Sequence, residues 1–137
     1  MLSAETIEFQ SIGDSRGELV ALESGGNVPF AIKRVYYMTG LSPDTPRGFH
    51  AHRKLEQIAV CVAGSCRFIL DNGRSRKQAW LRTPRQGLYI GNIIWREMHD
   101  FSHDCVLMVL ASELYDEADY IRDYDTFRSL AAGRMSG

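Results

Sequence analysis

The chain has 137 residues, 45% hydrophobic and 24% charged, a length and composition that suit one ordinary globular domain with a core of its own. A formal charge of −1 excludes a global pull toward nucleic acid or an anionic membrane. Three cysteines (Cys61, Cys66 and Cys105) without C-x-x-C spacing exclude a disulfide framework and a structural zinc site, and read as buried free thiols in a reducing compartment.

The opening Met1-Leu2-Ser3-Ala4-Glu5-Thr6 lacks the basic and apolar regions of a signal peptide. No apolar segment approaches the length of a membrane span, so a cytoplasmic location is expected. Thirteen arginines stand against three lysines. Guanidinium forks suit phosphate and carboxylate, although a GC-rich genome produces the same excess.

In chain order, short strand-like runs alternate with turn signals, the pattern of an all-β sandwich or barrel. Residues 7–9 form the first run, and Asp14-Ser15-Arg16-Gly17 reads as a turn. Residues 18–23 are a second strand and 30–38 a third, rich in β-branched and aromatic side chains. On that third strand Arg34 and Tyr36 share one face, with Tyr37 on the other. A loop over 40–48 with two prolines leads into Pro46-Arg47-Gly48-Phe49-His50-Ala51-His52.

Residues 57–63 read as a central buried strand, Gly64-Ser65 as its turn, and 66–70 as the return. Asp71-Asn72-Gly73 is a hairpin signal, because Asn-Gly accepts the positive φ of tight turns. Runs at 77–81, 88–90, 93–101 and 105–112 complete eight or nine strands. No helix falls between them, which argues against a parallel α/β sheet. Past Ser112 the period changes: Ile121, Tyr124, Phe127, Leu130 and Ala131 recur at helical spacing, acidic residues come early and basic ones late. This predicts a short C-terminal packing helix over about 115–132, with 133–137 frayed. One domain over 1–137 is expected.

His50 and His52 stand two apart, so on an extended segment they share a face, with Phe49 and Ala51 opposite. Imidazole serves both as a metal ligand and as a proton carrier near neutral pH. His50-x-His52-x3-Glu56 followed by Gly64 resembles the first motif of the cupin superfamily, where two histidines and a glutamate line a small antiparallel barrel. In the second cupin motif the last histidine ligand falls on Arg96. Arginine offers a metal no lone pair, and its charge opposes a cation. His99 is expected to face outward and His103 to sit in a turn. A metal-free cavity is expected, with Glu56 and the two histidines as the fallback ligand set.

A narrower resemblance rests on an ordered set: Ile32-Lys33-Arg34-Val35-Tyr36-Tyr37, Pro46 to His52, Gly87-Leu88-Tyr89-Ile90, Trp95-Arg96-Glu97-Met98, Asp100-Phe101-Ser102, Val109-Leu110-Ala111-Ser112, Tyr115-Asp116-Glu117 and Asp119-Tyr120-Ile121-Arg122. These motifs, covering roughly residues 14–127, resemble the nucleoside-diphosphate-sugar 3,4-ketoisomerases (WxcM-like, cupin superfamily). The resemblance implies a cupin-type antiparallel β-barrel or jelly roll with a short C-terminal helix. It also implies isomerisation of dTDP-4-keto-6-deoxyglucose to a dTDP-3-keto-6-deoxyhexose, bound for 3-amino sugars of surface polysaccharide (O-antigen, lipopolysaccharide) or secondary metabolites. No metal or redox cofactor and a strand-exchanging homodimer are implied as well.

On this reading His50 carries the proton from C3 to C4, and Tyr36 handles the hydroxyl proton between O3 and O4. His52 either orients His50 or acts as a second acid. Arg96 stabilises the enediolate, with Arg16 or Arg47 assisting. Arg47, Arg34 and Arg82 are the diphosphate candidates. Several relatives carry histidine at the place of Arg96, which leaves the C4 configuration of the product, gluco or galacto, open. The rivals are a cupin-type sugar-nucleotide 3,5-epimerase, a metal-dependent cupin oxygenase, and a non-catalytic sugar-nucleotide-binding domain.

Overall fold

The computed structural model describes residues 4–136 and is all-β up to its C-terminal helix. One five-stranded antiparallel sheet has the order β1 (Ala4–Glu8), β9 (Gln86–Ile90), β6 (Gln57–Ala63), β11 (Val106–Ala111), β4 (Arg34–Met38). The second runs β12 (Tyr120–Ile121), β5 (Arg47–His52), β10 (Trp95–His99), β7 (Cys66–Asp71), β8 (Arg76–Leu81). A separate hairpin pairs β2 (Ile12–Asp14) with β3 (Gly17–Leu19). The two large sheets form a jelly-roll sandwich rather than a closed barrel, and both are antiparallel throughout.

Alternation along the strands builds three apolar layers. Between the sheets lie Ala59, Cys61, Leu88, Ile90, Leu107 and Val109 from one side, and Cys66, Phe68, Leu70, Leu81 and Met98 from the other. The other face of the first sheet supplies Ile58, Val60, Tyr89 and Leu110, covered by Phe9, Val28 and Phe30. The outer face of the second sheet supplies Ala51 and Trp95, covered by Ile121, Phe127 and Ala131. Packing these side chains away from water is the main stabilising term. All three cysteines are free and buried, as the sequence indicates.

Several boundaries differ from expectation. The helix α1 spans Tyr124–Ser136 and does not begin near Tyr115. Asp123 accepts the Thr126 backbone N–H and hydroxyl, a cap that starts the helix there. The preceding acidic residues instead form a short 3-10 turn, Glu117–Asp119, capped by Asp116, and Tyr120–Ile121 pair with β5. Ile121 therefore belongs to the helix-packing layer without belonging to the helix. Residues 133 and 134 are helical rather than frayed, and Gly137 lies outside the described residues.

The strand expected at 18–23 stops at Leu19, and the one expected from residue 30 begins only at Arg34. The strand expected over 93–101 is shortened to Trp95–His99, because Ile93 and Asp100 flank it with φ of 56° and 54°.

Candidate active site

The histidine motif is aimed by a bulge. In β5, His50 pairs with Arg96 of β10 but the next register pair is Gly48 with Glu97, which leaves Phe49 as the extra residue. Gly48 and Phe49 both take positive φ, 93° and 58°. The distortion turns Phe49 outward against His99, ring centroids 5.9 Å apart, and keeps His50 and His52 on the inner face. Their rings meet edge to face at 4.9 Å.

Around them lies a narrow cavity at the mouth of the sandwich, lined by Tyr36, His50, Gln57 and Arg96 over a floor that includes Phe68, Ile90, Met98 and Val109. Four strands supply its polar atoms: β4, β5, β6 and β10. The β4 alternation places Arg34 and Tyr36 inward, as expected, and leaves Val35 and Tyr37 exposed on the other face. Gln57, the first residue of β6, donates to the Tyr36 hydroxyl at 3.0 Å and accepts from Arg96 Nη1. Arg96 is 2% exposed, and its Nε and Nη2 both donate to the Ile94 carbonyl. Among the described residues no carboxylate forms an ion pair with it. The cavity thus contains a buried cation held by neutral acceptors alone.

That charge and the low polarity of the cavity set the protonation states. Burial first, and Arg96 second, lower His50 from 6.5 to about 4. The same two causes, in the same order, lower His52 to about 2. Both imidazoles are neutral at physiological pH. Burial also lowers Arg96, to about 10, which leaves it charged. Tyr36 is raised, chiefly by burial, and keeps its proton.

Residues 113–123 form a strap over one end of the cavity and bring in groups the sequence reading had given to a helix. The Tyr120 ring sits 5.0 Å from His50 and 4.4 Å from His52. Asp119 Oδ2 lies 3.2 Å from His52 Nδ1. Arg122 stacks on Tyr120 at 4.2 Å and is ion-paired with Glu117. The signal for these residues is the spacing of Asp116 and Asp119, an N-cap pattern for a short turn, followed by the strand-forming Tyr120-Ile121. Gln57 was missed because it opens a run read as purely apolar.

The arginine candidates separate. Arg34 faces inward, stacked 5.2 Å over Tyr36 and 5.8 Å over Tyr115, with a buried Nε that has no hydrogen-bond partner. Arg47 is exposed at the rim, paired with the cavity residue Met98 and so on the same face. Arg82 is not brought to the cavity: it is exposed beyond β8, stacked 4.4 Å over Trp80. Neither is Arg16, whose side chain is 88% exposed on the β2–β3 hairpin and paired with Asp14.

The residues do not fit a metal. Arg96, the cross-strand partner of His50, puts a cation beside the histidines, and Glu56, the remaining candidate ligand, is hydrogen-bonded to Tyr89 in the apolar layer on the sheet's other face. His99 bonds Glu97 on the outer side of β10, and His103 is exposed in a turn.

Comparison with known proteins gives the family. A family model described as FdtA, WxcM-like, C-terminal, matches residues 3–132. The TDP-4-oxo-6-deoxy-alpha-D-glucose-3,4-oxoisomerase of Aneurinibacillus thermoaerophilus is 57% identical over 128 residues, 93% of this chain and 92% of that one. A histidine-to-asparagine variant of the 3,4-ketoisomerase QdtA from Thermoanaerobacterium thermosaccharolyticum, in complex with TDP-4-keto-6-deoxyglucose, is 45% identical. It superposes with a TM-score of 0.94 over 98% of this chain and 97% of that one. The fold extends further, to the rmlC epimerase of Mycobacterium tuberculosis, 18% identical with a TM-score of 0.73 over 86% of this chain and 67% of that one.

Proposed function

The chain belongs to the FdtA, WxcM-like family of sugar-nucleotide 3,4-ketoisomerases, and we propose that it converts dTDP-4-keto-6-deoxyglucose to a dTDP-3-keto-6-deoxyhexose. The observation that carries this reading is a neutral imidazole, His50, lining one cavity with a buried arginine that has no carboxylate ion-pair partner, and a second neutral imidazole, His52, edge to face against the first. Moving a ketone from C4 to C3 needs a base on carbon, a relay between two oxygens and a cation for the enediolate. It needs no redox partner, since the same proton inventory is present at both ends.

His50 takes the C3 proton, and the electron pair forms the C3=C4 double bond while the C4 carbonyl oxygen becomes the enediolate oxygen. Arg96, the cation nearest the inner wall, stabilises that charge. The O3 proton passes to O4 through His52 or Tyr36, whose hydroxyl is free to donate because Gln57 occupies it as a donor. The imidazolium of His50 returns its proton to C4, and the carbonyl re-forms at C3. Arg34 and Arg47, the two of the three diphosphate candidates that lie on the cavity side, bind the diphosphate. A 3-keto sugar is what an aminotransferase requires, so a 3-amino-deoxysugar follows in the sequence of reactions.

A strand-exchanging homodimer is part of the reading. The β2–β3 hairpin exposes Ile12 and Leu19, and the edge strand β4 exposes Val35 and Tyr37, apolar surface that a second copy covers. Arg16 rides on that hairpin and assists a cavity only in such a dimer. Light scattering tests the dimer directly. Buried free thiols and the lack, among described residues, of any helix long and apolar enough to cross a membrane support a cytoplasmic location.

Incubation with dTDP-4-keto-6-deoxyglucose and a 3-aminotransferase, followed by NMR of the amino sugar, tests reaction and C4 configuration together. A carbonyl that stays at C4 while C3 or C5 inverts would make the chain an epimerase instead. Activity abolished by chelation would favour a metal-dependent cupin, and binding without turnover a non-catalytic domain.

A further inference from the structure

We propose that Asp119 is a positioning residue for this reaction: its carboxylate holds His52 in the tautomer protonated on Nδ1, so that the Nε2 lone pair accepts the sugar hydroxyl proton and relays it to the neighbouring oxygen. The proposal rests on the ketoisomerase reading and assigns within it the oxygen-to-oxygen step to His52.

Asp119 closes the 3-10 turn of the strap and is fixed by main chain on every side. Its Oδ1 accepts the Lys54 N–H at 2.8 Å, and its Oδ2 accepts the Leu55 N–H at 3.2 Å. Its own carbonyl accepts the Arg53 N–H at 2.9 Å, and the next two residues pair with His52 and Ala51 of β5. Backbone N–H groups are obligate donors, so they hold the carboxylate as an acceptor whatever His52 does. The third partner of that carboxylate, His52 Nδ1, must then be the donor, which places the proton on Nδ1 and the lone pair on Nε2.

His52 is 2% exposed, and its Nε2 is buried without a hydrogen-bond partner. A buried acceptor left unpartnered carries the full cost of its desolvation. The ring stands 4.9 Å from that of His50, which lines the cavity, and a substrate hydroxyl held there is the group that removes that cost. The groups facing His52 are His50 on β5, Arg96 on β10, Arg34 on β4, Tyr120 on β12, Arg122 just beyond it, and Asp119. Three are cations, so an imidazolium formed in passing is opposed by Arg96, Arg34 and Arg122 and favoured by Asp119. The carboxylate therefore both orients the ring and offsets the charge during the transfer. The relay balances: O3 loses a proton to Nε2, O4 gains it from Nε2, and His52 ends as it began.

The test is Asp119→Asn in the otherwise intact chain. With its amide oxygen toward Lys54, the NH2 faces the Leu55 N–H and His52 Nδ1 and imposes the opposite tautomer; with the amide reversed, the NH2 faces the Lys54 N–H. The expected result is a kcat fall of roughly 10²–10⁴-fold, the range for a misoriented general base, with KM within about threefold. A second readout separates orientation from damage. In D2O, His50 still forms the enediolate, which now waits for the relay. Deuterium at C3 of recovered substrate, measured per product formed, should rise at least about tenfold.

A kcat within threefold of the parent, or exchange and turnover falling together, would overturn the proposal. Should the variant fail to fold, 15N NMR of His52 in the unmodified chain decides: protonated Nδ1 and bare Nε2 at neutral pH support it, and the reverse tautomer refutes it. If the unmodified chain yields no 3-keto sugar, the ketoisomerase reading itself is wrong, an outcome visible before any variant is made.

Discussion

Replacing Arg96 by methionine separates the two consequences of burying a guanidinium. Arg96 is 2% exposed and bonded to Gln57 Oε1 and the Ile94 carbonyl, neither of them charged. Moving an ion into such a site costs several kcal/mol when no counter-charge compensates. Methionine has similar volume and no charge, but it strands two acceptors at about 1–3 kcal/mol each. The two effects are comparable, so the melting temperature is expected to hold or rise.

Activity behaves differently. Loss of one preorganised donor to an oxyanion costs about 10²–10³ in kcat, roughly 2.7–4 kcal/mol. Arg96 is also the second cause, after burial, of the low basicity of His50 and His52. Without it both take up protons at higher pH, and the acid limb of kcat/KM moves upward from its expected place near pH 4. The assay is initial rates of 3-keto sugar formation across pH, beside a thermal melt. A kcat within threefold of the parent refutes the oxyanion role. A kcat loss accompanied by a fall of 10 °C or more, on the order of 2–3 kcal/mol for a chain this size, would instead make Arg96 a structural residue.

Three further outcomes follow from the same geometry. His50→Asn should lower kcat by about 10²–10⁴-fold while calorimetry shows TDP binding within threefold, and retained turnover would remove His50 from the carbon transfer. Both histidines bind protons less readily folded than unfolded, so folding stability is full above pH 6.5. It then declines as pH falls from 6.5 toward 4, by about 1.4 kcal/mol per pH unit for each histidine, which urea melts at stepped pH will read. Gly48→Ala should lower stability by about 1–3 kcal/mol and kcat with it, because φ is 93° and an added Cβ would meet the Arg96 carbonyl at 3.0 Å; an unchanged melt would contradict the account of the bulge.

The strands were legible where a local rule dominates. Gln57–Ala63 has the expected bounds because a continuous apolar run between turn signals has few other uses. That Arg34 and Tyr36 share a face followed from period two, and that the face points inward came from the resemblance. Residues 20–23 and 30–33 have strand composition but lie outside the sheets, since Phe30, Val20, Leu22 and Ile32 are spent covering the first sheet's other face. That is a tertiary use that composition does not separate from pairing. The strap failed for a related reason. Ile121 and Tyr124 fit a helical period, and so do a strand residue and a helix residue that happen to bury against one layer. Asp119 and Tyr120 went with that misassignment, so half of the polar environment of His52 was invisible until β12 paired with β5.

The low basicity of His50 raises a question of efficiency, since a base of about 4 is a weak one for carbon. The proposed reaction resolves it, because in it the proton taken at C3 is returned at C4 by the same ring. The basicity of His50 cancels between substrate and product and enters only in the height of the enediolate between them. There Arg96 acts twice with opposite sign: it repels the imidazolium it faces and attracts the enediolate oxygen. In a cavity of low dielectric both interactions fall with distance, so Arg96 accelerates the reaction only if it lies closer to the sugar oxygens than to the His50 ring. The hydrogen bonds to Ile94 and Gln57 hold the guanidinium on the wall shared with Tyr36, the side from which the oxygen relay is served. The sugar must therefore enter with C3–H toward His50 and its O3–O4 edge toward Tyr36, Arg96 and the Nε2 of His52. A substrate complex with the ring turned the other way would place the cation against the base, and Arg96→Met would then speed the reaction rather than slow it.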